Sequence, residues 1–317
     1  MANEAGVSRR SIFGMRPSRR DMVRIGTVAA LGTAITPFGV GSPAIAHAGV
    51  TGRTAEVPLE TFAVGGQTSA SRFSSANGYG VGHVMTDPTN ARAGSPATIN
   101  ITTYEGSGVA IHPSVYYCQD GWNGFEYWMA YTPYASANNR IENPSIAVSH
   151  DGNSWMVPEG LSNPLEPLPA GGGAYNSDPS LTVGNDGLMY IFWRTVGVPV
   201  GSESWYYKTS TDGVTWSDRT SVRQDPQVER RLLAPSFTQL ADGSWVVYAV
   251  NMVPKPYVVE RLKANDLIGL ATAVPQRVKI SGNSVQPWHV DVHRVAGEWQ
   301  MLVQDGGAGG GDLWAAV

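Results

Sequence analysis

From residue 106 to the end, the chain is a succession of short runs in which apolar and polar positions alternate with period two, each closed by a turn rich in Gly, Asn or Asp. That alternation predicts strands with one packed face, and helical periodicity is nearly absent. One unit reads as four strands. Leu181 and Val183 alternate with small polar residues, Asn185-Asp186-Gly187 makes a hairpin turn, and Leu188 to Arg194 forms a bulkier second strand. Trp205 to Ser210 is the third, and Asp212-Gly213 turns the chain into a fourth that starts at Trp216. The preceding unit repeats this with Ser114 to Cys118, Phe125 to Tyr131, Ser145 to Ser149 and Trp155 onward. The following unit starts at Ser236, turns at Asp242-Gly243 and runs through Trp245 to Val250 and Tyr257 to Leu262. A fourth begins at His289 to Val292, continues through Trp299 to Val303, and stops inside Asp312 to Val317.

Two phrases mark the repeat. Pro-Ser-hydrophobic occurs at Pro113, Pro144, Pro179 and Pro235, and Ser-x-Asp-Gly-x-x-Trp occurs at Ser149 to Trp155 and Ser210 to Trp216. The two Asp-Gly turns lie 61 residues apart; Pro113, Pro179, Pro235 and the matching Trp288 are separated by 66, 56 and 53. Such a period, filled with short strands, predicts an all-β propeller over 106–317, and five blades is the expected count. In the Asp-Gly-x-x-Trp turn Asp accepts backbone N–H bonds, Gly takes a positive φ and Trp staples the turn, so its role is structural. The last unit stops before its fourth strand. Either the chain is incomplete at its C-terminus or strands from 49–105 close the ring, since an open ring would expose sheet edges. Within 49–105 only Ala55 to Val64 and Ala97 to Tyr104 read as strands, and Gly65 to Gly82 reads as loop.

Residues 1–48 break the pattern. Two Ser-Arg-Arg triplets, an uncharged stretch from Ile25 to Ala46 diluted by Gly and Pro, and Ala46-His47-Ala48 resemble a twin-arginine export signal cleaved near Ala48. The twin-arginine translocase is therefore an expected partner, with delivery to the cell envelope or exterior of a prokaryote and no stable membrane insertion afterwards. The net charge of −4 hides an asymmetry, because the first 48 residues hold six Arg against Glu4 and Asp21, leaving the body with eight more acids than bases. A body that acidic argues against nucleic-acid and anionic-lipid partners. The single Cys118 excludes an internal disulfide.

If the first strand of each unit lines a central channel, the strand heads gather at one face, and the Asp-Gly-x-x-Trp turns lie at the other. Alternation then points His112, Asp178, His289 and Asp291 at the channel, while loop ends add Glu142, Arg194 and Asp305. Most Trp and Tyr residues fall on strand positions and read as inter-blade packing. No His, Cys, Asp or Glu cluster has metal-ligand spacing along the sequence, and no phosphate loop or dinucleotide fingerprint occurs, so neither metal nor cofactor is expected.

Over about residues 106–317 the chain resembles the five-bladed propellers of the furanosidase and xylosidase type glycoside hydrolases, and its Ser-x-Asp-Gly-x-x-Trp turns resemble the Asp boxes of sialidases. The resemblance implies two Asp-Pro strand heads, supplying a base or nucleophile and an orienting acid, and a Glu-x-Pro general acid. Here only Asp178-Pro179 keeps that form; the other two are His112-Pro113 and Leu233-Ala234-Pro235, and a sialidase arginine triad is absent. The run Gly121 to Tyr134, with Glu142-Asn143-Pro144, is similar to secreted and phage-associated propellers that bring no activity with them. The expectation is a secreted carbohydrate-active protein of glycoside hydrolase type, with Asp178 and Glu142 or Asp291 as catalytic carboxyls. His112, His289, Arg194 and Asp305 are then the substrate contacts. The alternative is an inactive glycan-binding or scaffold propeller.

Overall fold

The protein is seen in a computed structural model that describes residues 61–63, 72–73, 99–281, 285–295, 298–306 and 313–316. The expected export signal and most of 49–105 lie outside these residues. Two short N-terminal strands, β1 (Thr61–Ala63) and β2 (Arg72–Phe73), precede four antiparallel sheets. The first is β3 (Ala110–Trp122), β4 (Phe125–Pro133) and β5 (Ser145–Ser149); the second is β6 (Tyr175–Val183), β7 (Met189–Val196), β8 (Ser202–Ser210) and β9 (Thr220–Pro226). The third is β10 (Leu232–Gln239), β11 (Trp245–Asn251), β12 (Val258–Ala264) and β13 (Gln276–Arg277), and β14 (Lys279–Ser281) pairs in parallel with β1. The fourth comprises β15 (Pro287–Val295), β16 (Glu298–Asp305), β17 (Leu313–Ala316) and, as its outer strand, β2. The architecture is an all-β propeller with four sheets of blade form among the described residues. No helix among them is long and apolar enough to cross a membrane.

Alternation explains how the sheets stack. On β7, Ile191 and Trp193 pack with Trp128 and Ile146 of the first blade and with Leu181 of their own, while Phe192 between them packs with Phe237, Trp245 and Val247 of the third. Phe192 and Phe237 stack face to face with centroids 3.8 Å apart. Tyr248, Val250, Val292 and Val303 fill the next interface. Each such side chain contributes about 1.5–3 kcal/mol on burial, so the aromatics are interface filler as expected.

The Pro-Ser phrase has two mechanical roles. Proline brings no N–H to the ladder, and the register shifts across it in the first three inner strands, between Ile111 and Ser114, Ser177 and Ser180, and Leu233 and Ser236. In these three strands the residue before the proline has positive φ at the register shift: 53° at His112, 51° at Asp178 and 50° at Ala234. The serine after it then accepts an N–H from the next blade's inner strand. Leu181 N donates to Ser114 Oγ (3.0 Å), Phe237 N to Ser180 Oγ (3.1 Å) and Val292 N to Ser236 Oγ (2.9 Å). Buried N–H groups that face a neighbouring blade are thereby satisfied.

Three strand expectations change. The fourth strand of the second blade starts at Thr220, because Trp216 belongs to the turn, where its Nε1 donates to the Gly213 carbonyl oxygen (3.1 Å). In the first blade the chain after Trp155 makes only an isolated bridge from Met156 to Val148. Pro158, Pro164, Pro167 and Pro169 withhold the donors a ladder needs. The Asn163 side chain substitutes for a strand instead: its Oδ1 accepts from Ile146 N and its Nδ2 donates to Ile146 O, both at 2.9 Å. Lastly, the segment 65–82, expected as loop, supplies β2, which pairs with β17 and completes the fourth blade from the N-terminal side. Of the expected strand from Ala97 to Tyr104, the described residues 99–104 show one bridge, from Asn100 to Ser154.

Asp151 and Asp212 each accept two backbone N–H bonds in their turns, which hold the Asp151 carboxyl below its ordinary range and that of Asp212 at about 2. Gly213 (φ 76°) lies against the indole of Trp128, where a Cβ would sit 2.1 Å from a ring carbon; at Gly187 (φ 80°) nothing lies within 4 Å. Gly213→Ala should therefore cost about 3 kcal/mol, strain plus overpacking, against about 1 kcal/mol for Gly187→Ala, as read by urea denaturation.

Candidate functional site

The inner-strand heads deliver three side chains from three blades to one point, two of them, His112 and Asp178, at positive φ. His112 Nε2 lies 3.3 Å and His289 Nε2 3.5 Å from the same oxygen, Asp178 Oδ1, and the two imidazoles are 4.8 Å apart between centroids. All three side chains are at least four-fifths buried. The other Asp178 oxygen, Oδ2, is occupied by Arg194 Nε at 2.8 Å and faces Ala234 N at 3.4 Å. Arg194 is itself buried and its Nη1 lies 3.2 Å from Glu203 Oε1, which Arg231 Nε also meets at 3.2 Å from the rim. Burial pushes the Asp178 carboxyl upward, but the Arg194 guanidinium, joined by the two imidazoles when they are protonated, outweighs it and holds the group well below the usual range. Burial likewise works against the Arg194 charge, and Asp178 and Glu203 more than restore it.

The outward nitrogens of the histidines fix which lone pairs turn inward. His289 Nδ1 faces Gln304 Oε1 at 3.1 Å, an acceptor, so Nδ1 carries the proton. His289 Nε2 is then a buried lone pair with no hydrogen-bond partner, facing a carboxylate oxygen. His112 Nδ1 lies 3.2 Å from Thr132 Oγ1, whose own proton is directed to the Ile111 carbonyl oxygen (3.5 Å), and the same argument leaves His112 Nε2 turned toward Asp178. Three lone-pair donors thus converge, with their ligand atoms all within 4.8 Å of one another. Ligands about 2.1 Å from a shared ion lie roughly 3–4 Å apart, and two imidazoles with one carboxylate form a donor set for a divalent first-row metal. The orphaned His289 nitrogen is the observation that makes a cation fit here. Sequence spacing did not disclose this cluster, because its members come from three blades.

Glu142 joins from the loop between β4 and β5. Its carboxyl is fully buried, with Oε2 2.5 Å from Ser177 Oγ and 3.7 Å from His112 Nδ1. Ser177 Oγ also lies 3.2 Å from Asp178 Oδ1. The two carboxyls therefore share one buried hydroxyl. Behind them, Asn143, Asn176 and Thr195 form a buried chain of side-chain bonds of 2.7–2.9 Å that anchors the loop. The other two sequence candidates are not brought to this cluster. Asp291 bonds Ser236 Oγ (3.2 Å) and His293 Nε2 (3.0 Å), and keeps that histidine's pKa raised. Asp305 accepts from the backbone N–H of Gln286 (3.1 Å). Ser177, Glu203 and Gln304, which orient the cluster, were not singled out by sequence; only their neighbourhood to strand heads and partner strands could have suggested them.

The fold is a propeller of the kind seen in carbohydrate-active hydrolases. The chain is 35% identical over 136 residues, 42% of its length, to the A type blood N-acetyl-α-D-galactosamine deacetylase of Flavonifractor plautii, of which it spans 18%. The solved N-acetylgalactosamine deacetylase of F. plautii, in complex with blood group B trisaccharide, superposes with a TM-score of 0.56 and 25% identity. That match covers 66% of this chain and 65% of the other. For fold alone, an α-L-arabinofuranosidase from Fusarium graminearum matches with a TM-score of 0.52 at 11% identity, over 82% of this chain and 96% of that one. An endo-arabinase from Bacteroides thetaiotaomicron matches with 0.50 at 15%, over 65% and 73%. No protein-family model matches the chain.

Proposed function

We propose that this chain hydrolyses the N-acyl group of an amino sugar in a glycan, with a divalent cation held by His112, Asp178 and His289. The observation that carries the reading is the convergence of two imidazole lone pairs on one ionised carboxylate oxygen. The printed activity of the relative that shares 35% identity is the supporting likeness. Glycosidic cleavage needs two carboxyls flanking the bond, whereas Asp178 is engaged on both oxygens, by the two histidines on Oδ1 and by Arg194 on Oδ2.

In amide hydrolysis water adds across the C–N bond, leaving a carboxylate and a free amine. A divalent cation supplies polarisation of the acyl carbonyl when bound. Asp178 Oδ1 and the two Nε2 atoms are the holding groups, and Arg194 keeps Asp178 ionised and turns its second oxygen away. In this reading Glu142, held by the Ser177 hydroxyl, takes the proton of the attacking water and returns it to the departing nitrogen. The reading extends to export by the twin-arginine route and a five-bladed ring, as residues 1–48 and the repeat length suggest.

The test is acetate release from oligosaccharides bearing N-acetylhexosamine. Release should depend on added divalent ion and stop on chelation, and Glu142→Gln should slow it about 10²–10⁴-fold with the ion still bound. Release of reducing sugar without acetate would instead favour glycosidic cleavage, and glycan binding with neither product the inactive alternative.

A further inference from the structure

Glu142 stands at the tip of a three-residue turn. Asn143 N donates to the Ile141 carbonyl oxygen (2.8 Å), and Glu142 between them has φ −71° and ψ 60°, the values of an inverse γ-turn. One bent bond closes such a turn, so its stiffness depends on what grips its ends. Tyr104 grips both. Its hydroxyl donates to the Ile141 carbonyl oxygen (2.9 Å) and accepts from Asn143 Nδ2 (2.8 Å), so a single oxygen holds the residue on either side of Glu142. Asn143 Oδ1 accepts in turn from Asn176 Nδ2 (2.9 Å), and Asn176 adjoins Ser177, whose hydroxyl meets the Glu142 carboxyl. Tyr104 comes from a stretch outside the four sheets, which is itself fixed to the first blade. Ile101 packs with Met129 and Tyr131, the Tyr131 hydroxyl donates to the Thr102 carbonyl oxygen (2.8 Å), and Gly108 N donates to Thr103 Oγ1 (2.9 Å).

We infer that Tyr104 is a positioning residue for Glu142: its hydroxyl fixes the turn 141–143 and so holds the carboxyl against Ser177, beside His112 and Asp178. The inference rests on the amide-hydrolysis reading only for what Glu142 does once placed. Ser177 cannot fix the carboxyl alone, because a hydroxyl rotates to meet partners from a range of directions. The ends of the turn decide where the Glu142 side chain leaves the backbone, and both ends meet at Tyr104. Proton transfer depends on that placement, since a shift of about 1 Å can cost 10²-fold in rate.

The experiment is Tyr104→Phe, alone and combined with Glu142→Gln, in the full chain. Tyr104 is 36% exposed, so the substitution removes one oxygen and leaves the core packed. Acetate release should lose about tenfold or more in kcat, with KM and ion content as in the wild type. In the Glu142→Gln background the second substitution should change nothing further, because no carboxyl remains to be misplaced. Full activity in Tyr104→Phe, or an equal loss in both backgrounds, overturns the inference. Amide exchange over 138–146, read by mass spectrometry, tests the placement without the reaction. It should quicken about two- to tenfold in Tyr104→Phe while β6 and β7 exchange as in the wild type. That result upholds the positioning even where the wild type releases no acetate, an outcome that sinks only the reaction, and unchanged exchange there overturns it.

Discussion

Asp178→Asn should remove the bound divalent ion and lower acetate release by at least about 10³-fold, the several kcal/mol that such an ion contributes to an acyl transition state. The substitution is isosteric, so the loss reads charge and not shape. Asp178 Oδ1 is the atom both imidazoles face, and an amide there presents either a weaker acceptor or an N–H to His289 Nε2. Ion content by mass spectrometry and initial rate, measured on protein that still melts cooperatively, decide the matter. Stoichiometric ion and an undiminished rate would remove the cluster from the reaction.

Arg194→Leu is expected to be the most destabilising single change near the site, by about 3–5 kcal/mol, because it leaves Asp178 and Glu203 buried without their common cation. The pH dependence gives the charge mechanism its signature. In the wild type the folded pKa of Asp178 is depressed, so its contribution is complete above the unfolded value near 3.9 and is lost as pH falls toward the folded one. Without Arg194 the burial of the carboxyl is far less opposed, the folded pKa rises, and protonation relieves the buried charge. The stability gap between variant and wild type should therefore narrow as the solution is acidified, in chemical denaturation series at several pH values. A gap independent of pH would mean that Arg194 acts through packing alone.

The sequence made the strand heads legible because proline and serine recur there for reasons local to the backbone: proline shifts the register and serine accepts from the next blade. That is why His112 and Asp178 could be placed at the channel without knowledge of one another, and His289 through the match of Val290 and Val292 to Leu181 and Val183. Their convergence was not legible, since a metal-type cluster assembled across blades has no spacing to recognise. Asp291 was misleading for a related reason: it shares the face of His289, but lies two residues further along β15, where Ser236 and His293 engage it. Arg194 was seen as a candidate, yet its partner Glu203 was not, because pairing between β7 and β8 and not sequence proximity brings them together. The closure by β2 fell in a Ser- and Gly-rich stretch whose composition reads as loop; two residues of edge strand leave no periodic signal.

Ala234 holds the same positive φ as His112 and Asp178, although a methyl group can do none of their chemistry. The conformation thus goes with the register shift at that point of the strand and is indifferent to the side chain that it carries. Three inner strands then amount to equivalent sockets aimed at one axis, of which two are filled with functional groups and one is blank. A scaffold of this kind can exchange its chemistry one side chain at a time, keeping the ring and its seams intact, and the range of reactions open to such a ring is set by what the sockets hold.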